Sequence, residues 1–133
     1  MSKDLELVRT YYTAFNNKDF EKMLGCLDAD VVHELNQGQS QQGLGTFRKF
    51  MDHMNECYDE FLEELEIMDG QAGRVAAEFY VRGTYLRTDG KLPAAHGQKY
   101  RIRAGAFLET RGGKITRVTT YYNLPEWIAA VDG

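Results

Sequence analysis

The residues with the clearest chemical potential lie in a short β-favouring run, Val31-Val32-His33-Glu34-Leu35. An imidazole with an ordinary pKa of about 6.5 would serve as a general base in any pocket it faced. Strand side chains alternate, so His33 shares a face with Leu35, while Glu34 and Asn36 face the other way unless a bulge turns Asn36 back. The competing reading is a structural histidine hydrogen-bonded to a helix. Tyr11, on the apolar stripe of the first amphipathic segment, is also two-sided: its hydroxyl either meets a ligand oxygen or is satisfied within a core. In the last strand Val118, Thr120 and Tyr122 share one face, and Arg117, Thr119 and Tyr121 share the other.

Other chemistries find little support. His33, His53 and His96 fall on a strand, a helix and a loop without HxH or HExxH spacing, so no metal site is expected. Cys26 and Cys57 are 31 positions apart, far from CxxC spacing, and read as buried free thiols in amphipathic helices rather than a disulfide. GxGxxG, GxxxxGK(S/T) and GxSxG are all absent, which removes the nucleotide-binding and serine-hydrolase readings, and no cofactor is expected.

Positioning these residues requires an ordered set of elements. Leu5, Val8, Tyr12 and Phe15 recur at steps of three and four, predicting a helix over 4–16. Phe20, Met23, Leu24 and Leu27 repeat the pattern after Asp19, giving a second, short helix that stops between Gly25 and Asp28. After the His33 strand, Asn36 to Gly45 is Gln- and Gly-rich and reads as a loop. Leu44, Phe47, Met51, Met54, Tyr58 and Phe61 then predict a third helix over 44–61. Strands follow at roughly 63–69, 74–87, 98–110 and 114–123, joined by turn sequences such as Asp69-Gly70 and Gly112-Gly113, and they should form one antiparallel sheet. The connection Thr88 to Gly97 should lie over one mouth of the domain, with His96 and Gln98 near it, and Pro125 opens a terminal helix. Helices first and strands after make an α+β domain: a curved sheet covered on one face by helices, with a cone-shaped apolar interior suited to a small molecule.

Composition bounds the partners. The chain has 133 residues, enough for one domain over 1–133, with sixteen aromatic side chains to build its core. Sixteen basic against twenty acidic side chains give a net charge of −4, which disfavours nucleic acid and anionic membrane surfaces as partners. No apolar run approaches the ~18 residues of a membrane span, and the first residues lack the apolar core of a signal peptide, so the cytoplasm is the expected location.

The element order resembles the fold shared by nuclear transport factor 2, the ketosteroid isomerases and the SnoaL-like polyketide cyclases. The segments Tyr11-Tyr12-Thr13-Ala14-Phe15-Asn16, Val31 to Gly38, Ala104-Gly105-Ala106-Phe107 and Arg117 to Leu124 are similar to bacterial steroid delta-isomerase-related proteins. In ketosteroid isomerase an Asp base works beside an oxyanion hole made of a Tyr and a protonated Asp. The resemblance sets Tyr11 on that tyrosine, Leu35 on the base and Gly105 on the acidic donor, so delta-isomerase activity by that mechanism is not expected. It implies a pocket with His33 and Tyr11 as candidate catalytic residues. The expected ligand contacts are Leu35, Asn36, Phe79 and Tyr122 together with Arg103, Phe107, Val118 and Thr120. Arg103 is drawn inward by its parity with Gly105 and Phe107, where it would meet an anionic ligand or buried acid unless a bulge turns it out. The resemblance also implies a homodimer through the outer sheet face, where Glu78, Tyr80, Arg82, Arg117, Thr119 and Tyr121 lie. The function so implied is a pocket for a small apolar molecule, with proton abstraction or water activation; the alternative is a non-enzymatic ligand carrier or dimeric interaction module.

Overall fold

Three of the helices among the described residues begin where a side chain satisfies a free N–H group, and the helix that follows Gly43 begins instead without a side-chain cap. The computed structural model describes residues 2–36 and 38–132; Met1, Gly133 and Gln37, the last expected in the loop after Asn36, lie outside them. The Ser2 hydroxyl caps α1 (Lys3–Asn16) by accepting from Leu5 N–H, and Asp19 caps α2 (Phe20–Gly25) through Lys22 N–H. After α3 (Leu44–Cys57) the strands run to α4 (Leu124–Val131), where Asn123 accepts from Glu126 N–H and Pro125 sits in the first turn. Among the described residues no helix is long and apolar enough to cross a membrane.

Among the described residues six strands form one sheet in the order β2-β1-β6-β5-β4-β3: β1 (Leu27–Leu35), β2 (Gln41–Gln42), β3 (Tyr58–Asp69), β4 (Arg74–Tyr85), β5 (Lys99–Arg111) and β6 (Lys114–Tyr122). The last four are antiparallel as expected, but β1 joins β6 in parallel, with His33 opposite Val118 and Leu35 opposite Thr120. That pairing puts the His33 face beside the Val118–Thr120–Tyr122 face. The expected loop over 36–45 contains the short edge strand β2, and β1 begins at Leu27, which periodicity had assigned to α2.

The third helix ends earlier than its spacing predicts. Tyr58 is already extended (φ −137°, ψ 144°) and pairs with Tyr85, so residues 58–62 join the sheet. The long edge of β4 offers backbone partners that outweigh a helical period carried by Tyr58 and Phe61 alone. Tyr58, Glu60 and Leu62 now alternate onto the inner face, whereas Phe61 is exposed beneath Arg82. A bulge between Glu63 and Glu66, with Glu64 at φ 53°, then shifts the parity so that Leu65 and Ile67 also pack inward. Asn16 fixes this strand to α1: its amide donates to Leu62 O at 3.0 Å and accepts from Leu62 N–H at 2.8 Å.

Among the described residues two apolar clusters divide the interior. The larger joins α1, α2 and α3 to the sheet through residues such as Val8, Tyr12, Phe47, Phe79 and Leu108. The smaller gathers Tyr58, Tyr85, Tyr100 and Trp127 under α4, with Tyr58 stacked on Tyr85 at 5.4 Å and Trp127 edge-on to all three tyrosines. Cys26 and Cys57 are free and buried.

Candidate active site

Between the helices and the concave sheet face lies a cavity of about 280 Å³, just below the range (roughly 300–1,000 Å³) that small-molecule pockets occupy. Its walls are largely apolar: Phe15, Phe50, Met51, Leu62, Phe79 and Ile102 are among them. Polar groups in the lining include His33, Tyr11, Glu60, Asp89 and His53.

His33 is 5% exposed and lies between aromatic rings, 4.5 Å from Phe47 and 4.6 Å from Phe50 by ring centroids. Burial lowers its pKa from 6.5 to about 4, because the imidazolium loses its hydration there. It is therefore neutral at pH 7. Burial likewise raises the Tyr11 phenol well above 10, so it stays a hydroxyl. The expected helix hydrogen bond to His33 is not formed by any described residue, nor does one bond the Tyr11 hydroxyl; since no buried polar side-chain atom among the described residues lacks a partner, these atoms open onto the cavity. Tyr122, Leu35, Phe79, Val118 and Thr120 line the same space.

Sequence reasoning missed Glu60, Asp89 and His53 in this lining. Glu60, half-buried, accepts from the Tyr100 hydroxyl through Oε2 at 2.6 Å, and desolvation raises its pKa. Gly83 makes this contact possible: a Cβ there would stand 2.4 Å from the Tyr100 ring, which occupies the space a side chain would take. Beside it, Asp89 takes a hydrogen bond from Tyr58 on Oδ2 at 2.7 Å and lies 2.7 Å from His53 Nε2 through Oδ1. Asp89 comes from the connection expected over one mouth, as does Leu92. A strand beginning at Tyr58 would have revealed Glu60 by parity with Leu62; the His53–Asp89 pair, 36 residues apart, has no local signal.

Three expected ligand contacts lie elsewhere. The alternation of β5 puts Tyr100, Ile102, Ala104, Ala106 and Leu108 inward and the intervening residues outward. Arg103 is therefore exposed, bonded to the Tyr80 hydroxyl, and Phe107 is 49% exposed against Tyr121. The parity was anchored on Gly105, which shares their outward set; Ala104 takes the cavity position, so no carboxyl stands there either way. Asn36 is exposed at the strand end, held by its amide to the Tyr122 backbone. Gln98 is structural, donating to Ala94 O and Val131 O, and its Oε1 accepts from His96 N–H.

The outer sheet face carries a continuous polar and aromatic layer. Arg117 bonds Glu109, Glu34 and Thr119, and the Thr119 hydroxyl in turn donates to Glu34 at 2.7 Å. Arg101 lies 3.7 Å over the Tyr80 ring and pairs with Glu63 and Glu64.

Comparison with known proteins fits this arrangement. A SnoaL-like domain matches residues 8–118. The structure named "putative polyketide cyclase" from Pseudomonas putida KT2440 is 46% identical, with 98% of this chain and 99% of that chain covered and a TM-score of 0.95. A structure of the same name from Xanthomonas campestris pv. campestris is also 46% identical, covering 98% and 97% at a TM-score of 0.94. An NTF2-like protein of unknown function from Burkholderia pseudomallei K96243, 18% identical over the full length of both chains, shares the fold at a TM-score of 0.84. No curated protein matches the chain. With the cone, its apolar cavity and a domain match over most of its length, the chain belongs to the SnoaL-like family, within the NTF2-like fold.

Proposed function

We propose that the cavity binds a small, largely apolar molecule bearing an oxygen function and moves a proton on it. The observation that carries this reading is the placement of proton-bearing groups in one otherwise apolar space. Among them, the environments of His33 and Glu60 push these two proton acceptors apart. His33, at about 4, is a weak base and acts as a neutral hydrogen-bonding contact; Glu60, whose pKa is raised, is the stronger acceptor. In this reading Tyr11 of α1, with Tyr122 of β6, holds the ligand oxygen as negative charge develops on it. Glu60 thus takes the part that Leu35 cannot.

The relatives named for polyketide cyclases support the class of ligand, a carbonyl-rich apolar molecule. Hydrogen–deuterium exchange of 2-tetralone in D2O, followed by proton NMR, tests the chemistry without the natural substrate. The expected result is faster exchange at its acidic carbon, lost in Glu60→Gln and weakened in Tyr11→Phe. Binding without exchange would instead leave a ligand carrier. The outer face fits a homodimer, with Tyr80, Tyr121 and Phe107 as aromatic contacts among Glu78, Arg82 and the Arg117–Thr119 network. Light scattering at micromolar concentration should give twice the 15.2 kDa chain mass; a particle of 15.2 kDa contradicts it.

A further inference from the structure

His53, Cys57 and Asp89 bring a nitrogen, a sulfur and a carboxylate oxygen within 4.8 Å of one another. His53 and Cys57 are four residues apart in the last turns of α3 and so share a face, while Asp89 arrives from the loop after β4. The geometry is not that of a catalytic triad. A relay needs the thiol and the carboxylate on opposite ring nitrogens, whereas here Cys57 Sγ is 3.9 Å and Asp89 Oδ1 2.7 Å from the same atom, His53 Nε2. Three donors converging on one point is how side chains are arranged around a shared cation.

We propose that His53 Nε2, Cys57 Sγ and an Asp89 carboxylate oxygen form a binding site for a divalent cation of the zinc type. The mixed nitrogen, sulfur and oxygen donors suit zinc, which takes three protein ligands and keeps a fourth position open where it acts on a ligand. His53 and Asp89 both line the cavity, so the open position faces it. The carboxylate is already oriented: Tyr58 donates to Asp89 Oδ2, and Asp89 N–H donates to the Tyr85 hydroxyl. That is the hydrogen-bonded support that metal-ligating carboxylates characteristically have. Charge also balances. Binding displaces the Cys57 thiol proton to solvent, and the thiolate with the Asp89 carboxylate neutralises a dication beside a sulfur that is almost wholly buried. Tetrahedral zinc holds its ligand atoms about 3.3–3.8 Å apart, so His53 and Asp89 must open slightly and Cys57 close in. His53, about half exposed, has room to turn.

Cobalt(II) reports such a site directly, because tetrahedral coordination gives strong visible bands and a thiolate ligand adds a near-ultraviolet charge-transfer band. Titration of the chelator-treated full chain should show both, saturating at one ion per chain and reversed by zinc. Cys57→Ser should remove the near-ultraviolet band. His53→Ala, which alters an exposed side chain, should weaken binding at least tenfold, and Tyr58→Phe about 10- to 100-fold. Absence of the charge-transfer band, or binding to His53→Ala as tight as to the parent chain, would overturn the proposal. Its outcome is independent of proton transfer by Glu60.

Discussion

Burial of His33 makes the fold sensitive to mild acid in a way that can be isolated. The imidazole titrates near 6.5 in the unfolded chain and at about 4 in the fold, where it is held among Phe47, Phe50 and the cavity wall. Above pH 6.5 it is neutral in both states and contributes nothing pH-dependent. Between these values the unfolded chain takes up a proton that the folded chain refuses, so stability falls as pH falls, by about 3 kcal/mol in all. Below about 4 the loss is complete. His33→Phe removes the titration while keeping an aromatic side chain in the slot. Urea unfolding followed by the fluorescence of Trp127, the sole tryptophan and a buried one, should be run on both chains from pH 7 to 4. The carboxylates held low by their hydrogen-bond partners, Glu34 by Thr119 and Arg117, Glu63 by Arg101 and Asp59 by Lys18, weaken both chains alike on acidification and cancel in the difference. The parent chain should lose about 3 kcal/mol more than His33→Phe across that interval. Parallel stability curves would refute the assignment of His33 as a buried neutral imidazole.

Further substitutions probe the rest of the site. Because burial raises the Glu60 pKa, its protonated form is favoured in the fold, and its contribution is present at low pH and lost as pH rises; Glu60→Gln should therefore raise the melting temperature at pH 7 and have little effect at pH 4. Gly83→Ala would place a methyl group 2.4 Å from the Tyr100 ring, and should displace it from Glu60, lower the melting temperature and slow 2-tetralone exchange. Arg117→Ala strands Glu34 and Glu109 on the outer face and should cost about 1 kcal/mol in urea unfolding.

The sequence carried the architecture further than it carried the site. Helical spacing placed α1, α2 and α3, and strand alternation set His33 with Leu35 on one face and Val118, Thr120 and Tyr122 together on another, because those patterns are local; that the two sets adjoin follows from the parallel pairing of β1 with β6. What it missed depends on contacts between distant segments. The end of α3 was decided by pairing of Tyr58 with Tyr85, and that choice moved Glu60 into view. Arg103 and Phe107 were misplaced because one glycine set the parity of a whole strand, and a one-residue error reverses every side chain on it. The His53–Cys57–Asp89 group was invisible because a loop closes it.

The central claim is that the cavity holds a small apolar molecule by its oxygen. It is tested most directly by fluorescence titration with 2-naphthol, an apolar bicyclic phenol, against the parent chain, Tyr11→Phe and Ala104→Leu. Ala104 lines the cavity, so a leucine there fills space the ligand would use. The account predicts saturable binding of one probe per chain, weakened in Tyr11→Phe and abolished in Ala104→Leu while that variant still melts cooperatively. Equal binding to all three chains, or none to the parent, would contradict it.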